Sequence, residues 1–180
     1  MRVKKGYATR RGKIAVEDAA AYVRDLAQRL EARGRLGATR SFIQHGDVSV
    51  YDHVLAVAKT SICMARVLSR VGIAVDVHAL VRGALLHDYF LYDWHEKDAS
   101  HRLHGFHHPR TALVNAGRDY ALTPVERDII LKHMFPLTPR PPRYLESLLV
   151  CLVDKGCSLY ETAVRRNAYP GLRPLVGPRS

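Results

Sequence analysis

A chain of 180 residues is the size of one ordinary domain and long enough to bury a core. Its 47% hydrophobic content is that of a soluble globular protein, and no stretch approaches the ~18 apolar residues needed to span a bilayer, which argues against a membrane role. A net charge of +11, from 28 Lys and Arg against 17 Asp and Glu, favours anionic partners, but the charge is spread out and carries no nucleic-acid motif.

In chain order, residues 1–15 are a basic N-terminal segment, and no apolar run follows Met1-Arg2-Val3-Lys4-Lys5, so no secretory signal is expected. Val16, Ala19, Ala20, Val23, Leu26, Ala27 and Leu30 have helical spacing and predict a helix over 16–33, with Gly34 as its stop. A longer helix is expected over 49–71, capped by Asp47 or Ser49 and ended by Gly72. Asp76 is placed to cap a helix over 77–87. His108-Pro109 reads as a helix start, since Pro suits the first helical position, and that helix fades at Gly117. Thr123-Pro124-Val125-Glu126 matches a capping box with Pro at N1 and opens a helix to about Met134. Pro136, Pro139, Pro141 and Pro142 form a stiff connection to a last helix that starts near Arg143 and runs past Asp154. The apolar run 148–153 fits a buried strand equally well, but it sits in a longer stretch without Gly or Pro and reads as helix. No segment alternates with period two. The expected fold is all-α, one domain over 16–166, followed by a loosely ordered tail over 167–180 rich in Pro, Gly and Arg.

The three cysteines, Cys63, Cys151 and Cys157, are odd in number and form no Cys-x-x-Cys pair. They suit a reducing cytoplasm, each read as a buried, inert thiol.

His87-Asp88 directly follows the apolar run 84–86. A buried carboxylate is costly unless paired or bound to a cation, so this dipeptide is a reason to look for a metal. Ten histidines is many for one small domain, and seven lie between His87 and His133. His53 lines up with Val50, Val57 and Thr60, His133 follows Ile129 and Ile130, and Asp154 ends the run 148–153. A lone histidine on such a face is more often a hydrogen-bonded core residue, but several together are satisfied at once by one metal centre. Imidazole and carboxylate without thiolate suit Fe, Mn, Co, Ni or Zn. Six protein ligands are too many for one catalytic ion that must also hold water, and about right for two ions bridged by a carboxylate, which can clamp a phosphate oxygen and generate a hydroxide.

The order His53 … His87-Asp88 … His108 … His133 … Asp154 resembles the HD-domain superfamily of metal-dependent phosphohydrolases, in its dinuclear branch. The resemblance covers roughly residues 42–161, and the stretches 85–89, 108–112, 130–133 and 152–155 have the local character of bacterial HD proteins that hydrolyse dinucleoside polyphosphates. It implies an HD-type helical bundle with a metal site in a cleft between helices. His53, His87, Asp88 and Asp154 would hold one divalent transition-metal ion. Asp88, the catalytic bridge, would share the second with His108 and His133. The implied activity is hydrolysis of a phosphomonoester or phosphodiester, possibly of a nucleotide, by a metal-bound hydroxide.

One position departs from the family: many relatives carry a Lys three residues after the HD aspartate, where this chain has Leu91. Lys132, Lys155, Arg66 and Arg110 are the candidates to meet a phosphate instead, with a solvated surface role as the alternative for each. His108 is preferred as fourth ligand because Pro109 fixes its backbone, with His104 as the alternative. His95, His104 and His107 are candidates for outer-layer or substrate contacts and equally for the surface, His101 reads as a surface residue, and Asp93 fits either a carboxylate that orients a ligand histidine or an N-cap or exposed residue. The ligand set also resembles that of di-iron oxygenases of the same superfamily, and a non-catalytic metal- or ligand-binding module is a third possibility. The sequence points to a phosphorylated small molecule as partner and fixes no oligomeric state.

Overall fold

The structure is a computed structural model that describes residues 16–45, 47–94 and 104–164. The basic segment 1–15, the tail 167–180, His95 and His101 lie outside the described residues. The described chain is carried by helices α1 (Val16–Glu31), α2 (Val50–Arg70), α3 (Val77–Leu86), α4 (His104–Asp119), α5 (Pro124–Lys132) and α6 (Leu145–Val164). A 3₁₀ turn (Leu36–Ser41) and a small antiparallel hairpin, β1 (Ile43–His45) with β2 (Val48–Ser49), link α1 to α2. The fold is thus predominantly helical, as expected. Strands of three and two residues are too short to show a period of two in sequence, which is why the hairpin was not foreseen.

Local chemistry explains most of the boundaries. Ser49, not Asp47, caps α2: its hydroxyl accepts from Asp52 N at 3.1 Å. The far end closes in a Schellman turn, with Gly72 at φ +83°, Gly72 N donating to Ser69 O at 3.2 Å and Ile73 N to Leu68 O at 3.1 Å. Asp76 caps α3 by accepting from Ala79 N at 3.0 Å. The capping box of α5 is complete: Glu126 N donates to Thr123 Oγ1 at 3.2 Å and Thr123 N to Glu126 Oε2 at 2.8 Å. The buried Glu126 carboxylate also accepts from Arg82 Nη1 at 3.1 Å, which ties the start of α5 to α3. The run 148–153 is helical, within α6.

Two expectations fail. The helix expected to begin at His108-Pro109 begins at His104, a full turn earlier, and ends at Asp119 rather than Gly117. Pro109 is its sixth residue, past the first turn, so the proline marks no helix start here and, lacking an N–H, it cannot donate to the Gly105 carbonyl. The cysteines are not uniformly buried: Cys151 is, Cys157 is half-buried and Cys63 is exposed. Cys63 falls on the outer face of α2, whose inner face is made by Val54, Val57, Ala58, Ile62 and Ala65.

α2 is the central helix, packed against α3, α6 and α1, while α5 fills the space between α3, α4 and α6. Val23, Ala27 and Leu30 bring the inner stripe of α1 into the same core as Leu80, Ala84, Leu85, Ile129, Ile130 and Val150. α1 ends at Glu31, three residues before Gly34, and the glycine there serves packing: the Tyr120 ring lies where a side chain would be, and its hydroxyl donates to Leu30 O at 2.9 Å. No helix among the described residues is long and apolar enough to cross a membrane.

Candidate metal centre

The helix ends and inner faces of five helices converge on one buried cluster. His53 lies in the first turns of α2, His87 is the C-cap of α3 with Asp88 next to it, His108 lies in the second turn of α4, His133 is the C-cap of α5, and Asp154 lies midway along α6. None of the six is more than 6% exposed.

The cluster has two halves that meet at Asp88. On one side, Asp88 Oδ2 is 3.4 Å from His87 Nε2 and 3.9 Å from His53 Nε2, and Asp154 Oδ1 is 3.0 Å from His53 Nε2 and 3.5 Å from His87 Nε2. On the other side, Asp88 Oδ1 is 3.2 Å from His108 Nε2 and 3.4 Å from His133 Nε2, and those two nitrogens are 2.8 Å apart. Two groups of these residues, His53 with His87 and Asp154, and His87 with Asp88 and His133, each have the spacing to hold a metal ion.

The outer nitrogens fix the tautomers. His87 Nδ1 donates to Ala84 O at 2.7 Å and His133 Nδ1 to Ile130 O at 2.9 Å, a carbonyl three residues back in each case. His53 Nδ1 donates to Glu161 Oε2 at 2.9 Å. With the proton on Nδ1, each ring turns the Nε2 lone pair inward, toward carboxylate oxygens and toward one another. His87 Nε2 and Asp88 Oδ1 are buried and make no hydrogen bond among the described residues, although both have polar neighbours at 3.2–3.5 Å. One such atom in each half, facing other ligand atoms without a hydrogen bond, suits a cation in each half, and this donor set fits transition metals.

The electrostatics agree. Burial opposes a charge on His53, but its hydrogen bonds to Asp154 and Glu161 and the field of Asp154 and Asp88 outweigh that and push the imidazole up to about 10. His87 is raised in the same way, burial being overcome by Asp88 and Asp154. Burial also disfavours the Asp88 carboxylate, yet the charge of His87 and the imidazoles of His108 and His133 hold it well below the usual range. Asp154 is lowered by His53 and His87 against the same penalty. His133 goes the other way, because burial exceeds the pull of Asp88. With protons as the only counter-charge, two buried carboxylates force protons onto the imidazoles. A metal ion supplies the same positive charge and leaves the imidazoles neutral.

Two buried polar residues around the cluster were not read from the sequence. Gln44, on β1, donates from Nε2 to Asp88 Oδ2 at 2.7 Å and is 8% exposed. A glutamine at the second position of an unforeseen hairpin gives no sequence signal. Glu161 does have one: it lies two turns beyond Asp154 on the same face of α6. The turn after Asp88 is held by Asn115, whose Nδ2 donates to Tyr89 O at 3.2 Å and Phe90 O at 2.9 Å, and by Leu91 in a left-handed conformation at φ +61°.

The remaining candidates are scattered. Lys132 is paired with Asp128 at 2.7 Å, and Lys155 donates to His133 O at 2.8 Å and Cys151 O at 3.3 Å, so both ammonium groups are engaged beside the cluster's scaffold. Arg66 lies 13 residues past His53 on α2, ~20 Å along the helix axis. Arg110 and His107 are exposed and line a cavity of 270 Å³ with Leu131 and Arg140. His104 opens α4 one turn before His108, and its side chain lies outside the described residues. Asp93 is half-buried beyond Leu91. The larger cavity, 570 Å³ between α2 and α6, is mainly apolar and reaches the cluster at Glu161. Comparison with models of known families, with curated proteins and with solved structures gave no match.

Proposed function

We propose that the chain is a metal-dependent phosphohydrolase of the HD type, acting on a phosphomonoester or phosphodiester. The observation that carries this reading is the sharing of Asp88, one oxygen facing His53 and His87 and the other facing His108 and His133. A carboxylate divided between two sets of ligands is what a two-ion clamp on a phosphate needs as its bridge.

The residues fit two divalent transition-metal ions: His53, His87, Asp88 and Asp154 would hold one, and His108, His133 and Asp88 the other. Bound there, the ions would supply an activated water and neutralise the charge on the phosphoryl group. The chain's own residues do the rest. The Ala84 and Ile130 carbonyls hold two of the imidazoles in one tautomer and orientation, and Gln44 steadies Asp88 Oδ2. The buried walls keep bulk water from the charged groups, and the net charge of +11 draws in an anionic substrate.

The test is elemental analysis of the purified protein, followed by release of phosphate or aryl alcohol from an aryl phosphate and from nucleotides with Mn, Fe, Co and Ni. Close to two ions per chain and measurable turnover are expected. Asp88→Ala should lower turnover by about a thousandfold or more, since the ions contribute several kcal/mol of charge stabilisation. Full activity in Asp88→Ala would overturn the assignment. Dioxygen consumption by iron-loaded protein, in place of phosphate release, would move the chain to the di-iron oxygenases.

A further inference from the structure

We infer that Glu161 is a positioning residue that makes the half of the cluster built on His53, His87 and Asp154 the tighter of two metal positions. The inference rests on the metal reading above and concerns a residue outside the ligand set.

His53 differs from His87 and His133 in what stands behind its imidazole. His87 and His133 rest their Nδ1 on neutral carbonyls of their own helices. His53 rests its Nδ1 on a full carboxylate from another helix, at 2.9 Å, and Glu161 is itself only 5% exposed. A carboxylate behind an imidazole holds the ring in one tautomer and raises the basicity of the opposite nitrogen, the one that faces the metal. A neutral carbonyl orients the ring but adds much less charge.

α6 adds to the difference. It supplies Asp154 to the inner layer and Glu161 to the outer layer from the same face, with Ser158 between them donating to Asp154 Oδ1 at 3.4 Å. One rigid helix therefore fixes both the carboxylate ligand and the support of the imidazole opposite it. The position that includes His108 and His133 takes neither from α6. Glu161 also adds a third carboxylate, beside Asp88 and Asp154, to those within 4 Å of the His53 ring nitrogens.

The experiment is a stepwise titration of the metal-free full-length protein with Co²⁺, in competition with a chelator, following the visible spectrum of each bound ion. The variants are Glu161→Gln and Glu161→Ala. The wild type should bind two ions in separable steps. Glu161→Ala should weaken the first step by about 10–100-fold, the usual consequence of losing an outer partner of a ligand histidine, and leave the second within about twofold. Glu161→Gln keeps the size and an acceptor for Nδ1, so it should fold as the wild type does and fall between the two. A Gln variant with wild-type affinity in both steps would overturn the inference while leaving the metal reading intact. So would an equal loss in both steps, which marks a general loosening of the fold. A wild type that binds no Co²⁺ would sink the metal reading, and this inference with it.

Discussion

The spacing between α3 and α5 gives a sharp test of how packing controls the cluster. Gly83 lies one turn before His87 on α3, and Ile129 one turn before His133 on α5, so their contact sits directly beneath two of the imidazoles. A Cβ at Gly83 would stand 3.0 Å from Ile129 Cβ and 3.1 Å from its Cγ2, and nearer still to Cδ1. Carbon atoms in ordinary contact are ~3.5–4.0 Å apart. Cδ1 can swing away, but Cβ is fixed to the backbone, so Gly83→Ala must push the helices apart by roughly 0.5–1 Å. Overpacking of this kind costs about 1–3 kcal/mol, and the better helix propensity of Ala returns about 1. The net loss is about 0–2 kcal/mol, a fall in Tm of up to about 8 °C at 2–4 °C per kcal/mol. The effect on the cluster should be larger than the effect on stability. The His87 and His133 rings are 4.9 Å apart, and a constellation of this kind works within ~0.5 Å of its intended geometry. Turnover of the metal-loaded protein should fall by about 10–100-fold. Thermal melts with and without metal, together with turnover, check this. A Gly83→Ala protein that melts at or above the wild-type temperature and keeps full turnover would refute the idea that this contact sets the spacing.

The turn after Asp88 and the pH response give two more tests. Asn115→Ala leaves the carbonyls of the buried Tyr89 and Phe90 without their donor, which should cost about 1–3 kcal/mol and speed amide exchange over residues 87–91; unchanged melting and exchange would refute it. In the metal-free protein, His53 is raised from 6.5 to about 10, so its contribution is fully present below about 6.5 and is lost as the pH rises through about 10. Asp88 and Asp154 are lowered, so theirs is present above 3.8 and is lost as the pH falls, while that of His133, lowered from 6.5, is present above 6.5 and is lost as the pH falls below it. Melts in chelator should therefore peak near pH 6.5 and fall toward acid and toward pH 10, and a Tm that rises from pH 7 to 9 would contradict the charge assignment.

Much of the helical fold was legible because its signals are local. Asp76 and the Thr123-Glu126 pair each perform the capping their position implied, and Ser49 resolved an open choice. The boundary of α4 was misread because proline marks a helix start only when nothing upstream is already helical, and that depends on tertiary packing rather than on Pro109. The six candidate ligands come together because each sits on an inward face or just past a helix end, positions that periodicity reveals. Gln44 could not be found in this way: its role comes from a hairpin too short for a pattern. Glu161 could have been, from its seven-residue spacing to Asp154, but the histidine it serves is 108 residues away and no local rule connects them. The cations fared worst, since nearness in sequence to a ligand says nothing about which carboxylate or carbonyl a long side chain will reach, as Lys132 and Lys155 show.

Each half of the cluster takes one imidazole from near the start of a helix and one from the end of another: His53 from α2 with His87 from α3, and His108 from α4 with His133 from α5. Helix starts carry a partial positive charge of about half a unit and helix ends the opposite, and the effect fades within a turn. The peptide dipoles of each half therefore oppose one another and leave little net field at the centre. The charge state of the interior is left to a few side chains, so replacing one carboxylate there changes it by a full unit that the backbone does nothing to absorb.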